Sequence, residues 1–143
     1  GFLKRRPAKN QKNTKQLRPM EFESSEGFKI FVGRNNIMND KLTLKTAKNY
    51  DLWFHVKEGA GAHVVVQSEN GREFTDKLIR EAAMLAVQNS KAASSSNVAV
   101  DYTIIKNVKK PNGAKPGMVI YDNYKTEYVT PNFDELERIK RIV

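Results

Sequence analysis

The sequence predicts an α+β fold: a mostly antiparallel sheet with one long helix packed on it and two short helices. Three observations point there. Apolar residues alternate in short runs bounded by Gly, Asn and Ser turns, as in Phe28, Ile30 and Val32. One segment, residues 76–89, keeps a sustained three-and-four apolar spacing. A chain of 143 residues, 39% hydrophobic, has room for one domain and a short tail.

The elements follow in order. Residues 22–32 read as two short strands around the turn Ser24-Ser25-Glu26-Gly27. Gly33-Arg34-Asn35-Asn36 breaks the alternation and offers capping side chains to a short helix near residues 37–44. A strand over 51–57, the glycine turn Gly59-Ala60-Gly61 and a strand over 62–67 come next, closed by the turn Asn70-Gly71. The long helix is placed at 76–89, with Leu78, Ala82, Leu85, Ala86 and Asn89 on one stripe and Ser94-Ser95-Ser96-Asn97 beyond its end. Strands at 98–105 and 118–121 flank the loop 109–117. A second short helix begins near Asn132, with Phe133, Leu136, Ile139 and Ile142 at helical spacing.

Charge is unevenly spread. Of 25 basic residues, seven lie in residues 1–20 beside no acid, leaving 18 bases against 16 acids in 21–143, a net +2. The tail is therefore expected to be either a solvated linker or a phosphate-binding arm. No run approaches the ~18 apolar residues of a membrane-spanning helix, so no membrane insertion is expected. The first residues lack the apolar core of a secretory signal, and Gly1 in place of Met suggests a piece of a longer protein. Without cysteine, disulfides, thiolate zinc sites and cysteine nucleophiles are excluded, which fits a reducing compartment.

Chemistry concentrates on the strand at 51–57. Strand side chains alternate, so Leu52, Phe54 and Val56 face one way and Asp51, Trp53, His55 and Lys57 the other. Two readings of that second face stand open. In one it is a platform, with Trp53 stacking a base while His55 and Lys57 meet phosphate or base edges. In the other it is a half-buried network, in which Asp51 or a backbone group orients His55 and Trp53 packs under a loop. His63 lies across the glycine turn, where Gly61 could also let backbone N–H groups approach a phosphate. Asp51, His55 and His63 could be imagined as a facial metal triad, but no signature spacing supports it, and neither metal nor cofactor is expected. Arg34, Asn35, Asn36, Asn39, Asp40 and Lys41 form a second polar concentration, in which Asn36 and Asp40 also read as helix-capping side chains, and the guanidinium of Arg34 suits phosphate. Lys109, Lys110 and Lys115 punctuate a loop that reads equally as a phosphate contact or a solvated turn. No serine elbow or carboxylate pair is present, so a non-enzymatic module is expected.

Residues 27–36, Asn39-Asp40, Asp51-Leu52-Trp53-Phe54-His55, Gly61-Ala62-His63-Val64-Val65, Val100-Asp101-Tyr102-Thr103 and 109–117 together resemble the NFACT-R domain family. Ala60 and Ala62 stand where the family often has proline and serine, and Met38 where glutamine is common. Members form the C-terminal part of proteins long labelled fibronectin-binding protein A, which include bacterial ribosome-quality-control factors. The resemblance implies an RNA-binding module whose Asp51, Trp53 and His55 form the family's signature. It implies tRNA and the large ribosomal subunit (hence rRNA) as partners, alongside the N-terminal and coiled-coil parts of a full-length, cytoplasmic protein. Residues 1–20 would be a basic linker following the coiled coil, and 21–143 the domain. The same family is described as anchorless surface adhesins, which implies host fibronectin capture as the alternative.

Overall fold

The structure, a computed structural model, describes residues 18–143. The basic tail before Arg18, with both readings attached to it, lies outside the described residues.

Among the described residues, nine strands form two antiparallel sheets. The large one runs β8-β5-β3-β4-β2-β1-β9 across seven strands, and β6 and β7 make a separate ribbon. β1 (Met20–Glu23) and β2 (Lys29–Val32) form the first hairpin, with Met20 opposite Val32 and Glu23 opposite Lys29. β3 (Leu52–Val56) is central, pairing β4 (Val64–Val66) on one side and β5 (Val98–Ile104) on the other. β6 (Val108–Lys109) pairs with β7 (Ile120–Tyr121). β8 (Lys125–Val129) and β9 (Lys140–Arg141) close the two edges.

The single long helix expected from the sequence is not there. α1 (Asn36–Lys41) runs on through a π-helical turn, Leu42–Thr46, so the two together nearly match the 13 residues of α2 (Asp76–Gln88). α3 (Phe133–Glu137) is barely more than one turn. All three helices are short, and the reasons are local. Thr75 caps the start of α2 by accepting the Leu78 N–H, and Asn89 ends it by donating from its side chain to the Leu85 carbonyl. The chain must then turn back, because the Asn89 carbonyl accepts the Ala62 N–H and Ser90 bridges to Gly61. At the C-terminus the apolar spacing suggests helix as far as Ile142. Only Phe133–Glu137 is helical, Phe133 points to solvent, and the chain leaves to pair Lys140 and Arg141 with β1.

Both faces of the sheet are covered. α2 packs its alanine-rich stripe on one face, burying Phe28, Ile30, Phe54, Val64 and Val66 with Leu78, Ala82 and Ala86. At about 25 cal/mol per Å² of apolar surface, this burial is the main force holding helix to sheet. The other face carries a smaller cluster of Trp53, Val65, Leu42, Ile105 and Val108, covered by the π-helical turn and the β6–β7 ribbon. Glu81, which amphipathic spacing assigns to the polar side of α2, is buried. Its carboxylate accepts the Ser25 N–H at 2.9 Å and the Ser25 hydroxyl at 2.6 Å, pinning the first hairpin turn.

Candidate nucleic-acid interface

Strand alternation places Trp53 and His55 on the side of the sheet away from α2, and that side is closed over by loops. Trp53 is 0% exposed, so the base-stacking platform offers no free ring; the indole is instead the floor of a recess. It lies parallel to His55, with ring centroids 6.0 Å apart and planes 5° apart. Its other aromatic neighbours are His63, edge-on at 5.4 Å, and Tyr121, at 4.8 Å.

His63 is the knot of this network. The Trp53 Nε1–H can only donate, and it meets Nδ1 of His63 at 3.2 Å; the Thr43 hydroxyl meets the same nitrogen at 2.8 Å. On the other side, Nε2 lies 3.0 Å from the Gly117 carbonyl, which can only accept. The imidazole must therefore be the neutral Nε2–H tautomer, and burial, with His55 nearby, lowers its pKa to about 4. The His63 backbone is held as firmly. Its N–H donates to Asn39 Oδ1 at 3.1 Å and its carbonyl accepts the Gly33 N–H at 3.0 Å. Only glycine fits at position 33, because a Cβ there would lie 1.9 Å from that same Asn39 oxygen.

Gly117 ties the 109–117 loop across this site. Its N–H donates to Asp40 Oδ1 at 2.8 Å, Asp40 also takes an ion pair from Lys110, and Lys110 donates to the Lys115 carbonyl at 3.0 Å. Burial opposes ionisation of Asp40, but the Lys110 ammonium and the Gly117 N–H outweigh it and hold the carboxyl below its usual range. Gly117 sits at φ +87° with Asn36 Oδ1 2.9 Å from where a Cβ would go, so no larger residue closes the loop this way.

His55 is half-buried. Its Nδ1 donates to the Val56 carbonyl at 2.5 Å, and burial pushes its pKa down. Beyond it, buried Asp101 accepts from the Tyr121 hydroxyl at 2.5 Å, from Thr126 at 2.8 Å and from Lys57 at 3.2 Å. Burial, then this bond, raises the Tyr121 pKa; the same carboxylate raises that of Lys57. The Lys57 ammonium also lies 4.9 Å from the centre of the Tyr124 ring.

The result is a cleft of about 360 Å³ that brings together Asn36, Trp53, His55, Lys57, Gly61, His63 and Lys115 from the sequence-predicted set. A second cleft of about 520 Å³ adjoins it and takes Arg34 and Asn35, with Asn36 and Gly61 common to both. Asn35 also caps α1, accepting the Met38 N–H at 2.8 Å. Asp51 is elsewhere. Buried, it accepts from Lys48 N, Ser68 N and the Ser68 hydroxyl at 2.8–2.9 Å, stitching two loops instead of orienting His55. Asp40 and Lys110 are paired to each other, Lys41 lies on the outer side of α1 beside Ile37 and Leu44, and Lys109 lines a separate recess. No group of three or more metal-ligating side chains exists among the described residues. The sequence reading leaves out Tyr121, Thr43 and Lys91, since each reaches the site through a tertiary contact. Asp101 carried one signal: a lone carboxylate within an otherwise apolar and hydroxyl-bearing strand.

The cations are not placed at random. Neither cleft has an aspartate or glutamate among its lining residues, although acids nearly equal bases in residues 21–143. A recess with Lys57 and Lys115 at its rim, next to one with Arg34 and Lys91, is an environment for a polyanion.

The chain is 45% identical over 142 residues to the Rqc2 homolog RqcH of Bacillus subtilis, covering 98% of this chain and 24% of that protein. The RqcH homolog of Streptococcus suis is 41% identical over 141 residues, covering 98% of the chain and 25% of the relative. The chain thus spans about a quarter of the length of these curated relatives. Among solved structures, the C-terminal part of the fibronectin/fibrinogen-binding protein of Streptococcus suis superposes with a TM-score of 0.79 at 41% identity. That match covers 86% of this chain and 49% of the other. The profile of the NFACT protein RNA binding domain matches residues 18–123, which take in every side chain that lines the two clefts, and the chain belongs to that family.

Proposed function

We propose that this chain is the non-enzymatic RNA-binding module of a cytoplasmic ribosome-associated quality-control factor, holding tRNA against the large ribosomal subunit. Residues 21–143 are the binding domain. Residues 1–20 link it to the coiled-coil and N-terminal parts of a longer protein. The observation that carries this reading is the acid-free pair of clefts in a domain of an RNA-binding family. Within it, His55, Lys57, Lys115, Asn36 and Gly61 contact RNA in the first cleft, with Arg34 and Asn35 in the second. Trp53, His63, Asp51 and the Asp40–Lys110 pair act by positioning, since their polar atoms are already bonded within the protein.

A second reading, capture of host fibronectin at the cell surface, is favoured by the name of the Streptococcus suis structural relative. It has a physical route as well, because β8 is an edge strand able to accept an added strand. One experiment separates the two: binding of the chain to labelled tRNA and to fibronectin at about 50 and 200 mM salt, a range over which phosphate contacts lose much affinity. Salt-sensitive tRNA binding, weakened about tenfold in His55→Ala with the fold retained, is the expected result. Salt-insensitive fibronectin binding without tRNA binding overturns the proposal.

A further inference from the structure

The two clefts share a ridge of Asn36, Ala60 and Gly61. The ridge is low and stiff. A Cβ on Gly61 would fall 2.9 Å from the Cβ of Ser90, so the residue is bare because the turn after α2 lies against it. That turn is tied down by backbone bonds, Asn89 O accepting the Ala62 N–H at 3.0 Å and the Lys91 N–H donating to Ala60 O at 3.2 Å. The exposed Lys91 side chain is thereby fixed on the second cleft, across from the Arg34–Asn36 segment.

The compartments differ in chemistry. The first is aromatic and apolar at its base and walls, through Trp53, Tyr121, Val119 and Met118, with imidazole edges. The second has no aromatic side chain; its two cations stand among the amide and hydroxyl side chains of Asn35, Asn36, Asn39, Asn89 and Ser90, with Met20 and Ala62 as its apolar side chains beside the shared ridge. An aromatic recess next to a polar cationic one matches the alternation of base and phosphate along a nucleic-acid strand. A base stacked and paired in a duplex cannot enter a recess of this kind, whereas an unpaired base can.

Resting on the RNA-binding reading above, we infer that the two clefts form one path for a single RNA strand. One unpaired nucleobase sits in the cleft above Trp53, and the neighbouring phosphate lies between Arg34 and Lys91. The Asn89–Lys91 turn is therefore part of the RNA contact, a role that its position after a structural helix does not suggest.

The test compares an unpaired RNA oligonucleotide of about ten nucleotides with the blunt duplex of the same sequence, using the 143-residue chain. Two surface variants serve as probes, Lys91→Glu and Lys125→Glu; Lys125 is on β8 and lines neither cleft. The single strand should bind about tenfold tighter than the duplex, since only an unpaired base can enter the recess. Lys91→Glu should cost about tenfold in that affinity and lower the salt slope, while Lys125→Glu costs about twofold or less. Trp53 is the only tryptophan and lies beneath the first cleft against His55 and Tyr121, so its emission should change when the single strand fills the cleft and not with the duplex. Equal affinity for strand and duplex, or equal losses in the two lysine variants, overturns the single-strand path and leaves RNA binding standing. Absence of binding to both forms overturns the RNA-binding reading on which the path depends.

Discussion

Phe54 and Trp53 are consecutive on β3, both 0% exposed, and they belong to two different kinds of interior. Phe54 faces α2, where the contacts are aliphatic and aromatic surfaces that need only fill volume. Trp53 faces the loops, where a small aliphatic cluster is joined by side chains that make directional bonds: His63 to Gly117, Asp40 to Lys110, Asp101 to Tyr121. The first face holds the sheet together. The second holds a set of loops at a fixed height above the sheet, and the clefts are what remains between them.

The largest expected effect tests this contrast directly. Phe54→Ala and Trp53→Ala should each cost about 3–5 kcal/mol in urea unfolding, since both empty a buried aromatic site. The rescues should differ. Phe54→Leu should recover most of the loss, because volume is what that face requires. Trp53→Phe should recover less, because it removes the N–H that donates to His63 and leaves Nδ1 with Thr43 alone. Equal recovery at the two positions would show that the loop-side network adds nothing beyond packing.

The second effect is the pH dependence that the histidines carry, and it belongs to the loop face, since both histidines of the sequence are there. In the folded chain His63 has a pKa of about 4, against an ordinary value near 6.5 when unfolded. Between those values the unfolded chain binds a proton that the folded chain refuses, so stability rises with pH across the window and is lost as pH falls through it. His55 is shifted in the same direction by burial. The facing charges modify the size of the effect: Asp40 favours the His63 cation, while Lys110 and His55 oppose it. Going from pH 7 to pH 4 should cost up to about 3 kcal/mol through His63. In His63→Asn the protein should be less stable at pH 7, but its stability should change less over the same interval. A variant with the parental pH profile would place the proton uptake elsewhere.

How much of this was legible in the sequence follows the same division. Alternation in β2 and β3 located the sheet, and the Leu78–Ala82–Leu85 stripe located α2, because both patterns record burial against a single partner. The same alternation put Trp53 and His55 on one side. It could not show that side to be covered, since the cover comes through tertiary contacts with Leu42 of the π-helical turn and with Val108 and Tyr121 of the β6–β7 ribbon. Asp51 illustrates the limit: strand alternation groups this strand-end acid with His55, yet the donors of Lys48 and Ser68 claim its carboxylate. The edge strands β8 and β9 escaped notice for a related reason. Lys125–Val129 carries one buried residue, and Lys140–Arg141 carries none, so neither shows an apolar rhythm.

The smallest effect on stability is the sharpest test of what the loop face is for. Lys115 is exposed at the rim of the first cleft, and the one bond it makes to Lys110 uses its backbone carbonyl. Lys115→Gln keeps that carbonyl and removes only the ammonium, so stability should change by no more than about 0.5 kcal/mol. If the rim meets RNA phosphate, the slope of log affinity against log salt should fall by about 0.7, the increment for one contact to a single strand. The α2 face offers no comparable site, because its residues earn their place by area and not by charge. A change of slope without a change of stability therefore separates the two faces more cleanly than any core substitution can. An unchanged slope would make Lys115 part of the loop's solvated surface and confine the RNA contact to Lys57 and the second cleft.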